Sequence, residues 1–111
     1  MHIAPVSLAS ATIFLAASAL AEGDLDRGRD LARTYCARCH GEDGNARSTS
    51  FQVVPMLAGQ PAAYLEKEMR NFAEGAREDT SRNGMMNRRL IEMSAQDFAD
   101  VAAYFEAQAR Y

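Results

Sequence analysis

Two thiols and an imidazole stand together in Cys36-Ala37-Arg38-Cys39-His40, the densest cluster of nucleophilic and metal-ligating groups in the 111-residue chain. Cysteines separated by two residues can cycle as a dithiol, close a local disulfide, supply half of a zinc site, or add across the vinyl groups of a haem. In the last case the histidine that follows the second cysteine takes the proximal axial position on the iron.

The rest of the sequence separates these chemistries. A redox dithiol sits at the start of a helix that follows a strand, and no strand pattern precedes Cys36. A closed zinc site takes four ligands, whereas Cys36, Cys39 and His40 are the only cysteines and histidine beyond the N-terminal segment. A disulfide between the cysteines would close too short a loop to stabilise much and would leave His40 idle. The expected cofactor is therefore one covalently attached haem c, held by Cys36 and Cys39 and ligated by His40.

The second axial position needs another donor. The remaining histidine, His2, lies in the N-terminal segment, so a methionine thioether is the expected ligand, one that raises the reduction potential. Met69 and Met93 fall at or beside helical apolar positions, and Met56 lies among apolar loop residues next to Pro55; methionine in such settings serves packing. Met85 and Met86 follow Gly84 in a polar stretch far along the chain from His40, and either can approach the opposite face of the haem.

Helices must position these groups. Leu25, Gly28, Leu31, Ala32 and Tyr35 recur at three- and four-residue steps with charges between them, an amphipathic helix leading into Cys36. Gly41 to Asn45, with Ser48 to Ser50, is rich in turn formers and reads as a loop. Pro61 is suited to the first position of a helix whose apolar face carries Tyr64, Leu65, Met69 and Phe72 and which stops at Gly75. From Ala76 to Leu90 no period is visible, and the stretch reads as mostly loop. Ser94 and Asp97 form a helix-start signature, and Phe98, Val101, Ala102 and Phe105 continue a stripe to about Gln108. No segment alternates long enough for a strand, so the fold class is all-α.

The first charged residue is Glu22; before it runs an Ala- and Leu-rich stretch that ends in Ala19-Leu20-Ala21, an A-x-A-like cleavage site. Residues 1–21 are expected to be a signal peptide and 22–111 the functional domain, with the stretch acting as a membrane anchor only if it is retained. About 90 residues then make a small core, which a covalent apolar cofactor would complete. The formal net charge is −3 and Lys67 is the only lysine, which excludes a nucleic-acid partner because no basic face is available to neutralise phosphates.

Cys36-Ala-Arg-Cys-His-Gly-Glu-Asp-Gly44 resembles the C-x-x-C-H-G-x-x-G opening of small bacterial class I cytochromes c. Pro55-Met-Leu-Ala-Gly-Gln60 is similar to their P-x-L-A-G-Q segment, Tyr64 through Arg77 to their next helix, and Val101-Ala-Ala-Tyr-Phe105 to their last. This resemblance spans nearly the whole chain after residue 21. It implies a class I cytochrome c fold, three to five helices around one covalently attached haem, in an exported, periplasmic protein. Registered on Met93-Ser94, it selects Met86 as the axial ligand over Met85. It also gives the Pro55 carbonyl the role of acceptor for the proximal histidine's other ring proton, and it brings Gly28 with Leu31 against Tyr104 with Phe105. Arg88-Arg89-Leu90 departs from the family's usual stretch after the methionine.

The function implied is one-electron transfer by a haem with His/Met ligation, without catalysis, between exported redox proteins. The acidic chain calls for a partner with a basic docking patch. Service as the haem subunit of a periplasmic oxidoreductase, such as a sulfur-compound dehydrogenase, is the alternative. A peroxidase or gas binder would require an iron that neither Met85 nor Met86 ligates.

Overall fold

The computed structural model describes residues 2–7, 9, 22–50 and 53–111. The cleavage site at Ala19-Leu20-Ala21 and most of the apolar stretch before it lie outside the described residues. Five α-helices follow in order: α1 Leu25–Tyr35, α2 Ala37–His40, α3 Ala62–Glu74, α4 Met85–Leu90 and α5 Ala95–Glu106, with a 3-10 turn at Arg82–Gly84. No strand forms among the described residues. Their helices include none long and apolar enough to cross a membrane.

Local chemistry sets the ends of these helices. The Asp24 side chain accepts from the amides of Asp26 and Arg27 and caps α1. Ser94 and Asp97 form a reciprocal capping box at the start of α5. Pro61 stands one place before its expected position: its ψ of 133° leaves it outside α3 as the N-cap, and the first helical amide, that of Ala62, donates instead to Glu106 Oε2 at 2.6 Å. Gly75 closes α3 in the left-handed conformation.

The stretch from Ala76 to Leu90 departs from the loop expectation, because Met85–Leu90 is helical. The signal was hidden by an unusual start. Gly84 occupies the N-cap with φ 64° and offers no side chain, so the caps come from Asp79 and Ser81 further back.

Helices α1 and α5 make the most extensive contact, and α3 packs against both α5 and α4. Gly28 is where α1 and α5 come closest: a Cβ there would overlap the Asp100 carbonyl, with the carbonyl carbon 2.6 Å away and Tyr104 Cβ at 3.0 Å. The expected meeting of the first and last helices is thus present, centred on Asp100 and Tyr104. A three-member network seals it, in which Arg27 pairs with Asp97 at 2.5 Å and with the buried Asp100 at 2.6 Å. The core between the helices holds Leu65, Met69, Leu90, Val101, Ala102 and Phe105.

Candidate functional site

A cleft open to solvent lies between α2, α3, α4 and α5 and the segment around Pro55. Leu65, Met69, Phe72, Leu90, Val101 and Phe105 give it apolar walls, and four of the residues singled out from sequence, Cys36, His40, Pro55 and Met86, lie on them. Cys39 is half-buried on α2 and is not among the lining residues. Met85 faces away, onto a shallow outer depression shared with Arg88, Arg89 and Glu92.

His40 is 4 % exposed, and its Nδ1 donates to the Pro55 carbonyl at 3.1 Å. A carbonyl can only accept, so this contact fixes the tautomer and leaves the Nε2 lone pair available to a metal. Burial pushes the His40 pKa below its ordinary value, and the bond to Pro55 offsets part of that shift. The ring is held in the neutral form that ligates metals.

Pro55 is itself held in place. The Ser48 hydroxyl donates to the Val54 carbonyl and accepts from the Val54 amide, both at 2.9 Å. Downstream, the amides of Leu57 and Ala58 donate to the Gly44 carbonyl at 2.8 and 3.1 Å. Gly44 has φ 76°, and a Cβ there would lie 2.8 Å from both the Ala58 nitrogen and a Phe105 ring carbon, so only glycine permits the approach. The turn formers after His40 therefore act as the surface on which the proline segment docks. The last residues close over this turn, with the Tyr104 hydroxyl donating to the Glu42 carbonyl and the Tyr111 hydroxyl to Asp43, both at 2.6 Å.

No disulfide joins Cys36 and Cys39. Burial pushes the Cys36 thiol up to about 12, with the Arg89 charge opposing in part. A working redox dithiol needs the opposite, a thiol whose pKa is lowered, so the setting of Cys36 argues against that chemistry. No group of three or more His, Cys, Asp or Glu suited to hold a metal ion occurs among the described residues.

The walls include residues that the sequence reading assigned elsewhere. Met56 and Met69 line the cleft, and Met69 also belongs to the buried core, in keeping with its reading as packing. Arg77 and Glu68 stand on the same wall as an ion pair at 2.6 Å, with the guanidinium 4.5 Å above the Phe72 ring. The pair links the exit of α3 to its middle, so helical periodicity carries no signal for it. Arg89, in the stretch expected to be mostly loop, reaches the cleft while Arg88 does not.

The donor set fits a haem bound through thioethers. Apolar walls of this kind suit a flat apolar macrocycle, the Cys36 sulfur lies on them with Cys39 on the adjoining helix, and His40 and Met86 offer the nitrogen and the thioether that haem iron takes.

The chain is similar to known proteins over most of its length. The family model described as Cytochrome c matches residues 25–108. Cytochrome c4 of Pseudomonas aeruginosa is 40% identical over 97 residues, which cover 87% of this chain and 44% of that protein. Cytochrome c-554(548) of Halomonas halodenitrificans is 35% identical over 86 residues, covering 78% of this chain and 98% of that protein. The crystal structure of reduced recombinant cytochrome c4 from Pseudomonas stutzeri superposes with a TM-score of 0.64 at 34% identity, over 80% of this chain and 47% of that one. The chain thus spans about half the length of the cytochrome c4 relatives it matches.

Proposed function

The chain belongs to the cytochrome c family, and from that membership we propose that it is an exported, periplasmic one-electron carrier with a single haem c in the cleft, ligated by His40 and Met86. The observation that carries this reading is the convergence of Cys36, a tautomer-fixed His40 and Met86 on one apolar cleft. When bound, the haem supplies an iron that gains or gives up one electron between its ferric and ferrous states.

The residues of the chain do the rest. Cys36 and Cys39 tether the group through their sulfurs, so that it is not lost from a small domain. The Pro55 carbonyl, by accepting from Nδ1, orients the His40 ring and raises its basicity as a ligand. Met86 would hold the iron through its thioether, keep exogenous ligands off it and favour its reduced state. Leu65, Phe72 and Val101 exclude water from the apolar walls, which further disfavours the more charged oxidised state. No residue is assigned a catalytic role.

A spectrum tests the ligand assignment. Wild type and Met85→Ala are expected to show the thioether-to-ferric-iron absorption band, and Met86→Ala to lack it and to bind carbon monoxide rapidly when reduced. Loss of the band in Met85→Ala alone would hand the role to Met85. Rapid carbon monoxide binding by the wild-type ferrous protein would contradict the carrier reading altogether. Co-purification with a larger subunit would make the chain part of an oxidoreductase rather than a free carrier.

The formal net charge of −3, with haem propionates adding to it, suits a partner that docks through a basic patch. Electron-transfer rates with the native partner are then expected to fall as ionic strength rises, because salt screens the attraction. Rates indifferent to salt would remove the electrostatic docking from this reading.

A further inference from the structure

The geometry points to Asp79, Ser81 and Asn87 as positioning residues that hold Met86 in the cleft; this rests on the reading of Met86 as an axial ligand. Helix α4 runs for only Met85–Leu90, begins at a glycine and has no side-chain cap of its own. Its first amides therefore need partners from elsewhere. The Met86 amide donates to Ser81 Oγ at 3.1 Å, and the Asn87 amide to Asp79 Oδ2 at 2.9 Å. The other carboxylate oxygen, Oδ1, accepts from the Ser81 amide at 2.9 Å and from the Ser81 hydroxyl. Ser81 thus gives its proton to Asp79 and its lone pair to Met86, and the two residues form one continuous cap.

The far side of α4 is fastened as well. Asn87 Nδ2 donates to the carbonyls of Phe72 and Ala73 at 2.8 and 3.3 Å, in the last turn of α3. The backbone of Met86 is tied upstream to Ser81, and its neighbour Asn87 is tied to Asp79 by its amide and to α3 by its side chain. Asn83 and Gly84, both in the left-handed region with φ 55° and 64°, turn the chain so that Asp79 and Ser81 fold back over the start of the helix. Every bond in this clasp is made to backbone or within it. Its effect on Met86 is therefore positional: it restricts the motion by which the thioether would leave the cleft.

A thioether is a weak iron ligand and can be displaced by exogenous imidazole, so the clasp is measurable on the haem-loaded protein as resistance to displacement. The measurement is the imidazole concentration that removes half of the thioether-to-iron band in the ferric state, together with the thermal midpoint. Ser81→Ala and Asp79→Ala are expected to lower that concentration by up to about tenfold, the upper scale of one lost hydrogen bond, and Ser81→Thr to restore it. Arg27→Ala serves as the control, since it breaks the ion pairs to Asp97 and Asp100 between α1 and α5, away from α4. It is expected to lower the thermal midpoint and leave the imidazole titration at the wild-type value. Unchanged titrations in Ser81→Ala and Asp79→Ala, with the band abolished in Met86→Ala, overturn the clasp alone, as does an equal shift in Arg27→Ala. A band that survives in Met86→Ala overturns the ligand reading and the clasp with it. Should Asp79→Ala fail to fold, Ser81→Ala decides, because it removes only a hydroxyl.

Discussion

Replacing Cys36 and Cys39 together by alanine is expected to yield a chain that retains no haem through denaturing electrophoresis and that loses most of its helical circular dichroism. The first effect is chemical, since both thioether tethers originate in these sulfurs. The second follows from where the core sits. Leu65, Met69, Leu90, Val101 and Phe105 belong both to the buried core and to the wall of the cleft. Without an apolar occupant these side chains border water on one face, and a chain of this size has little other apolar burial to offset that loss. The single replacements are expected to be milder, each leaving one thioether and a folded, haem-stained band. Wild-type helicity in the double variant, with no haem bound, would show that the helices pack without the cofactor.

The residues that tether this core were the most legible in the sequence. Cys36, Cys39 and His40 are contiguous, so no fold had to be known to bring them together, and the helices α1, α3 and α5 follow from apolar periodicity because each buries one stripe. The Ser94 and Asp97 capping box was visible for the same reason: both partners lie within one turn. Helix α4 was not visible, because its caps stand outside the helix, at Asp79 and Ser81, and no local rule joins them to Met86. For that reason periodicity could not choose between Met85 and Met86. Adjacent helical residues point about 100° apart, so the presence of a helix is what turns one of them to the cleft and the other to the surface. The Pro55 carbonyl was reached by resemblance alone, and its bond to His40 depends on Ser48 and Gly44, which read only as turn formers. Asp100 gave no signal at all. It interrupts the apolar stripe of α5, and its burial makes sense only once Asp24 and Arg27 arrive from the other end of the chain.

That burial makes Asp100→Ala the second substitution with a large expected effect. The carboxylate is 1% exposed and accepts from the Asp24 amide at 2.9 Å, from Arg27 at 2.6 Å and from Gln96 at 3.0 Å. Burial opposes its ionisation, yet the Asp24 amide, Arg27 and Gln96 outweigh it and hold the pKa below the ordinary carboxylate value. Removing the acceptor leaves three donors without it at the closest point of α1 and α5. Arg27 is half-exposed and turns to water, which softens the loss, so the expected destabilisation in urea is about 2–3 kcal/mol at neutral pH. The pH dependence provides the sharper check. A carboxyl with a depressed folded pKa contributes fully above its unfolded value of roughly 4 and loses that contribution as pH falls through the folded value. The gap between wild type and Asp100→Ala is thus expected to be widest at neutral pH and to narrow as the solution is acidified below about pH 4. A gap that stays constant on acidification would mean that Asp100 acts through the space it fills, with its charge contributing nothing. The α1–α5 contact would then rest on Gly28 and the apolar residues around it.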